Sequence, residues 1–224
     1  MSITAWRRLQ RAGHSAPGQE YLALNSLKQK LLRLGSMVEE SAVLARSVLA
    51  VADMEAAPQI RRGDDQIDIL YHELENNCTQ LLTAKVLPQQ QVREVLSYIH
   101  CVRDLERIGD YCKELAELGE RLLPSQPLPQ RDAILTMLDR CRSLLALALD
   151  CVSEDDGSAG ARLQNFDDLV DSDYKLLLEQ LMDPVPTTAA SFEASLLLVL
   201  VLRCIERMAD HAVNVSQRVA RVSA

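Results

Sequence analysis

The chain has 224 residues, 48% hydrophobic, 25% charged and only 4% aromatic, which is enough apolar material for a sizeable core and rules out a collagenous, low-complexity or globally disordered chain. Its 32 acidic against 24 basic residues give a net charge of −8, which phosphate backbones and anionic lipid heads repel, so nucleic acid is not an expected partner. Cys78, Cys101, Cys112, Cys141, Cys151 and Cys204 stand singly in apolar stretches with no CxxC pair, and read as reduced core thiols.

Residues 1–19 carry Arg7, Arg8 and Arg11 with no apolar stretch behind them, so they read as a disordered basic tail and not a signal segment. From Tyr21 apolar residues recur three and four apart (Leu24, Leu27, Leu31, Leu34, Val38, then Leu44 and Val48), the spacing of one long amphipathic helix. A second helix is predicted from about Pro58 to Lys85 on Ile60, Ile67, Leu70, Leu74, Cys78 and Leu81, and a third from about Gln89 to Leu122. Pro124, Pro127 and Pro129 in PSQPLPQ then exclude helix, because proline lacks the amide donor and clashes with the preceding turn.

The second half repeats the pattern: helices over about Asp132–Ser153, Ala161–Met182 and Ser191–Val222, separated by SEDDGSAG and DPVPTT. The run Leu196–Leu202 contains no polar residue, but its amphipathic continuation through Ile205 and Val213 marks it as buried helix and not strand. It is also far below the roughly 18 to 20 apolar residues of a membrane span. The expected fold is all-α, six long helices in two tandem antiparallel three-helix bundles: residues 20–123, a Pro-rich linker 124–130, and residues 131–224. The cytoplasm is the simplest compartment, with peripheral attachment to an inner membrane only through partners.

The halves match residue by residue. A shift of 103 carries Asp64, Asp68 and Tyr71 onto Asp167, Asp171 and Tyr174, and a shift of 100 carries Arg103, Glu106, Arg107 and Asp110 onto Arg203, Glu206, Arg207 and Asp210. The change of three falls in a loop between matched helices, as a duplicated unit should show.

Within each repeat two helices therefore carry acidic residues four apart: Asp64/Asp68 with Glu106/Asp110, then Asp167/Asp171 with Glu206/Asp210. Four residues are about 6 Å of rise and about 40° of rotation, so each pair shares a face. With 32 acidic residues, roughly four or five such pairs arise by chance, so the spacing alone assigns nothing. Recurrence at matched places shows shared ancestry. The chemical argument is that four carboxylates gathered between helices repel one another and must protonate, separate or meet a cation. An all-oxygen donor set suits iron, Mn²⁺ or Mg²⁺; zinc stays open because His211 follows Asp210. Arg103, Arg107, Arg203 and Arg207 read first as intrahelical salt-bridge partners, and Tyr71 and Tyr174 as packing residues with a polar tip.

The stretches RDLERIGDYCKEL from Arg103 and RCIERMADHAVNV from Arg203 resemble the third-helix signature of the PhoU family, the regulators that accompany bacterial phosphate importers. GSMVEE from Gly35 is similar to its first-helix motif, the Asp64/Asp68 and Asp167/Asp171 pairs to its second-helix motif, and AKVLP from Ala84 with Arg93 to its first-repeat loop. The chain departs from the pattern at Gln91 and Val92, where an acidic residue is usual, and at Ala209, where the signature has glycine. The resemblance implies tandem three-helix bundles with metal clusters on the acidic pairs and regulation without catalysis, repressing uptake or signalling when phosphate is plentiful. It also implies a homodimer whose partners are the ATPase subunit of a phosphate ABC importer and a phosphate-sensing histidine kinase. The competing readings are a metal-free helical scaffold that docks a basic partner and a di-iron carboxylate enzyme; the enzyme would need Glu-x-x-His pairs, and the sequence has none.

Overall fold

The computed structural model describes residues 18–84, 86–128, 130–154, 160–183 and 188–223. The helices are α1 (Gln19–Val51), α2 (Ala56–Ala84), α3 (Gln89–Leu122), α4 (Arg131–Glu154), α5 (Gly160–Met182) and α6 (Ala189–Ser223), with a single 3₁₀ turn at Leu123–Ser125. No strand occurs among the described residues. The basic tail over residues 1–17 lies outside them, as do 155–159 of SEDDGSAG and 184–187 of DPVPTT.

The stripe that predicts α1 is the stripe it buries: Leu24, Leu27, Leu31, Leu34, Val38 and Val48 all lie in the core. The helix ends where Ala52 turns left-handed (φ 57°, ψ 42°) and donates its N–H to the Val48 carbonyl. Asp53 then starts the next helix, accepting from the amides of Glu55 (3.0 Å) and Ala56 (3.3 Å) and from the Ser47 hydroxyl (3.0 Å). That cap explains why α2 begins at Ala56, two residues before the expected Pro58. Proline is tolerated there because amides in a first turn have no intrahelical partner.

Packing between elements goes beyond two separate bundles. α2 packs on α1 and α3, and α5 on α4 and α6, while α3 pairs with α6 and α1 with α4. The inner helices α1, α3, α6 and α4 thus close a four-membered ring, with one outer helix against each side. Antiparallel pairing of α3 with α6 is fixed by Asp104 meeting His211 and by the Cys101 thiol donating to the Val215 carbonyl (3.7 Å). On the opposite seam Arg46 of α1 donates to both oxygens of Asp139 on α4 (2.7 and 2.9 Å), which holds that carboxyl below its usual range.

All six cysteines are buried free thiols. Burial pushes the Cys101, Cys141 and Cys204 thiols up to about 12 and Cys78 to about 11, so they behave as small apolar side chains. The apolar run in α6 divides by face: Leu197, Leu198, Val201 and Leu202 are buried, whereas Leu196 and Leu200 are about half exposed. A helix carries any seven-residue run around its whole circumference, so an unbroken apolar run cannot all face one core.

Glycines mark the closest helix approaches. A Cβ on Gly35 would collide with Leu149 across the α1/α4 seam, and one on Gly119 would stand 2.6 Å from Val48 Cγ1, a stiff β-branched side chain. At Gly63 the nearest atom would be Ser41 Oγ at 3.6 Å, an ordinary contact. Gly119→Ala is therefore expected to destabilise by about 1–2 kcal/mol, overpacking exceeding the gain of about 1 kcal/mol in helix propensity, and Gly63→Ala to stabilise by about 0.5–1 kcal/mol. Urea midpoints of the two variants check the opposite signs.

Candidate functional site: two carboxylate clusters

The apolar periods of α2 and α3 that bury Ile67 and Leu105 also turn Asp64 and Asp68 toward Glu106 and Asp110. Asp64 is only 4% exposed, and the ammonium of Lys113, one turn beyond Asp110, lies 2.5 Å from its Oδ2. Asp68 lies one turn along α2 on the rim. Its carboxyl stands above its ordinary value, through partial desolvation first and then the charges of Asp64 and Asp110. Glu106 is raised likewise, by burial and then by Asp110, Asp68 and Asp64, with Arg107 opposing. Arg107 donates to Asp110 at 2.7 Å.

The second repeat builds the same cluster from α5 and α6. Asp167 is raised by burial and then by Asp171, Asp210, Asp168 and Glu206. Glu206 is raised by burial and then by Asp210, against the opposing charges of Arg203 and Arg207. Arg203 donates to both Glu206 oxygens (2.8 Å each), Arg207 to Asp210 (3.3 Å), and Lys175 lies 3.9 Å from Asp171. The buried counter-charge is not repeated: Val213 occupies the place of Lys113. No lysine reaches inward from that position, and Asp167 keeps a raised carboxyl among its neighbours.

Each cluster thus brings its four acidic positions into mutual electrostatic contact across two helices. As they stand, no group of three or more His, Cys, Asp or Glu among the described residues is placed to hold a metal ion. The donor type suits a hard cation. The positions would need side-chain rotation, and in the first repeat release of Lys113, before several oxygens could share one ion.

The arginines Arg107, Arg203 and Arg207 form the intrahelical pairs expected of them. Tyr71 and Tyr174 pack against the core, and the Tyr71 hydroxyl donates to Glu75 (3.3 Å). His211 lies with its Nδ1 2.9 Å from Asp104 Oδ1, joining the repeats, and its ring tilts over Tyr111 at 6.0 Å. Sequence reasoning passed over Lys113 and Asp104. The signal for Lys113 was its position three residues after Asp110, on the acidic face; Asp104 gave none, since its partner sits 107 residues away. Glu39 and Glu40 of GSMVEE line a groove of about 470 Å³ between α1 and α4.

The profile of the PhoU domain matches residues 31–119 and 134–219, one copy per repeat. A Synechocystis sp. protein named phosphate-specific transport system accessory protein PhoU homolog is 36% identical over 200 residues, 89% of each chain. A homolog of the same name from Pseudomonas putida is 28% identical over 207 residues, 92% of this chain and 81% of its own length. These names describe accessory proteins, not enzymes. The crystal structure of PhoU from Pseudomonas aeruginosa superposes with a TM-score of 0.86 at 27% identity, covering 91% of this chain and 98% of that one. That of the phosphate transport system regulatory protein PhoU from Streptococcus pneumoniae gives 0.82 at 26%, covering 91% and 96%. With both repeats matched and the helical arrangement shared, the chain belongs to the PhoU family.

Proposed function

We propose that this chain is a non-catalytic accessory regulator of a phosphate importer, lowering uptake and phosphate-responsive signalling when phosphate is plentiful. Support comes from the two-repeat match to a family whose relatives are named accessory proteins of phosphate-specific transport systems. The importer's ATPase subunit and a phosphate-sensing histidine kinase are the partners this reading calls for, with self-association as a homodimer. No described helix is long and apolar enough to cross a membrane, so the chain would reach the importer through protein contacts.

In this reading Asp64, Asp68, Glu106 and Asp110, and Asp167, Asp171, Glu206 and Asp210, hold iron, Mn²⁺ or Mg²⁺, with Zn²⁺ the softer alternative. A bound cation would supply the positive charge that each cluster's raised carboxyls call for. It would also tie α2 to α3 and α5 to α6, setting the outer helices' angle to the inner ring.

A second reading has its own observation. Lys113, Arg107, Arg203 and Arg207 already pair with cluster carboxylates, so a metal-free scaffold balanced by its own side chains is physically sound. One genetic experiment tests the regulatory reading. In the host strain, deletion of the gene is expected to raise phosphate uptake and a phosphate-starvation reporter in phosphate-rich medium, with the intact gene restoring repression. Unchanged uptake and reporter after deletion would overturn it. Complementation by Asp68→Asn/Glu106→Gln separates the two readings, since only the metal reading requires it to fail.

A further inference from the structure

Among the described residues no other helix packs across the outer side of the seam between α1 and α4. An open groove runs along it in two stretches of about 470 and 520 Å³, which share Val43, Asp139 and Arg142. One stretch carries Glu39 and Glu40, and the other leads to Ala50 and Val51.

The charges of this groove are balanced in the middle and unbalanced at one end. Arg46 and Arg142 both donate to Asp139. Glu39, Glu40 and Asp150 form no ion pair among the described residues. The Glu39 carboxyl stands above its ordinary value, through burial first and then the charge of Asp150, with Arg142 opposing. Beside these acids two valines lie open, Val43 at 47% and Val51 at 73% exposure. Such a surface fits a segment that presents a cation and, one helical turn further along, a large apolar side chain.

The chain carries such a segment in ITAWRRLQR, residues 3–11. Arg8 and Trp6 are two residues apart, so in extended backbone they share a face and stand about 6.6 Å apart. Glu39 and Val43 are one turn apart on α1, about 6 Å. The reach also agrees. Glu39 lies about 30 Å and Val43 about 36 Å along α1 from Gln19. Arg8 and Trp6 stand eleven and thirteen residues before Gln19, which extended chain spans in about 36 and 43 Å, leaving a few ångströms for the turn back. Gly18 enters α1 at φ 135°, a region that favours glycine, so the chain leaves the helix axis there. The groove nearer the start of α1, against α2, is lined by Lys30 and no carboxylate, and the carboxylate clusters already hold arginines and Lys113.

We propose that the chain's own N-terminal segment runs back along α1 and docks in the α1/α4 groove, Arg8 against Glu39 and Asp150, Arg7 at Glu40 on the rim, and Trp6 over Val43. Docked, it would occlude the GSMVEE carboxylates from any other basic segment. The inference is independent of the regulatory reading: it concerns the purified chain and requires no cation.

Trp6 is the one tryptophan of the chain, so its fluorescence reads the docking directly. In the full chain its emission is expected to lie to the blue of that of a free peptide of residues 1–17, with acrylamide quenching roughly threefold weaker, as for an indole covered on one face. Raising the salt to about 1 M, where the screening length is about 3 Å, should move both toward the peptide values. Glu39→Lys/Glu40→Lys should do the same, as should Arg7→Glu/Arg8→Glu, which lies outside the helices and leaves their packing intact. Combining the two reversals should restore protection, and circular dichroism melts check that the variants fold. Emission and quenching equal to those of the free peptide would overturn the proposal and leave the groove open to another protein's basic segment. Protection that survives both reversals would overturn it too, since Trp6 would then sit elsewhere. So would protection lost on dilution, which would place the segment of a second copy in the groove.

Discussion

Addition of Mn²⁺ to EDTA-stripped protein is expected to raise the melting temperature by about 5–10 °C for each cluster filled. A ligand at a hundred times its Kd stabilises the folded chain by about 2.7 kcal/mol, and a chain of this size shifts by about 2–4 °C per kcal/mol. Replacing Asp64, Asp68, Glu106 and Asp110 with Asn or Gln should remove the first repeat's share and leave the second's. The pH dependence carries a sign of its own. Asp68, Glu106, Asp167 and Glu206 stand above their ordinary values of 3.8 for Asp and 4.5 for Glu, so the folded chain binds these protons more tightly than the unfolded chain. Their ionisation penalty is present above the folded pKa and relieved as pH falls through it, so without cation the clusters gain stability as pH falls toward the ordinary carboxylate range. A bound cation favours the ionised forms and reverses that slope. Urea midpoints from neutral pH down to about pH 4, with and without Mn²⁺, read the reversal, and subtraction removes the histidine contribution common to both profiles. Coincident melting curves with and without Mn²⁺ would leave the metal-free scaffold as the better account.

Lys113→Met is expected to have two opposite effects. Lys113 is the counter-charge of a carboxylate that is 4% exposed, and removing one partner of a buried pair costs about 3–5 kcal/mol. The lysine side chain is 39% exposed, so solvent screening reduces this to about 2–3 kcal/mol, or roughly 5–10 °C in melting temperature. Cation affinity of the first cluster should move the other way, rising on the order of tenfold or more, because a unit charge about 4 Å away is worth about 4 kcal/mol even at an effective dielectric constant near 20. Asp64→Asn in the same background should recover the stability without the gain in affinity. The wild-type chain, with Val213 at the corresponding place, is expected to fill its second cluster before its first. Calorimetric titration with Mn²⁺ of the wild type and of each single-cluster variant reads that order. Equal affinities in wild type and Lys113→Met would show that Lys113 does not compete for the site.

Much of this molecule was legible in one dimension. The apolar spacing of Leu24 to Val48 fixed α1 and its buried face because a 3.6-residue period admits one continuous stripe. The offset pattern that pairs Asp64 with Asp167 and Glu106 with Glu206 announced a duplicated unit, and with it two acidic faces per repeat. These are local properties, set by neighbours three and four residues apart. What escaped was decided between distant segments. The four-helix ring depends on which outer surfaces of the repeats fit, and so on the close approach at Gly35 and the Arg46 to Asp139 clasp. The Asp104 to His211 contact arises only once α3 lies antiparallel to α6. Sequence periodicity says which face of a helix is apolar; it holds no term for which other helix that face will meet, because side-chain packing across more than a hundred residues is chosen by shape and charge in three dimensions.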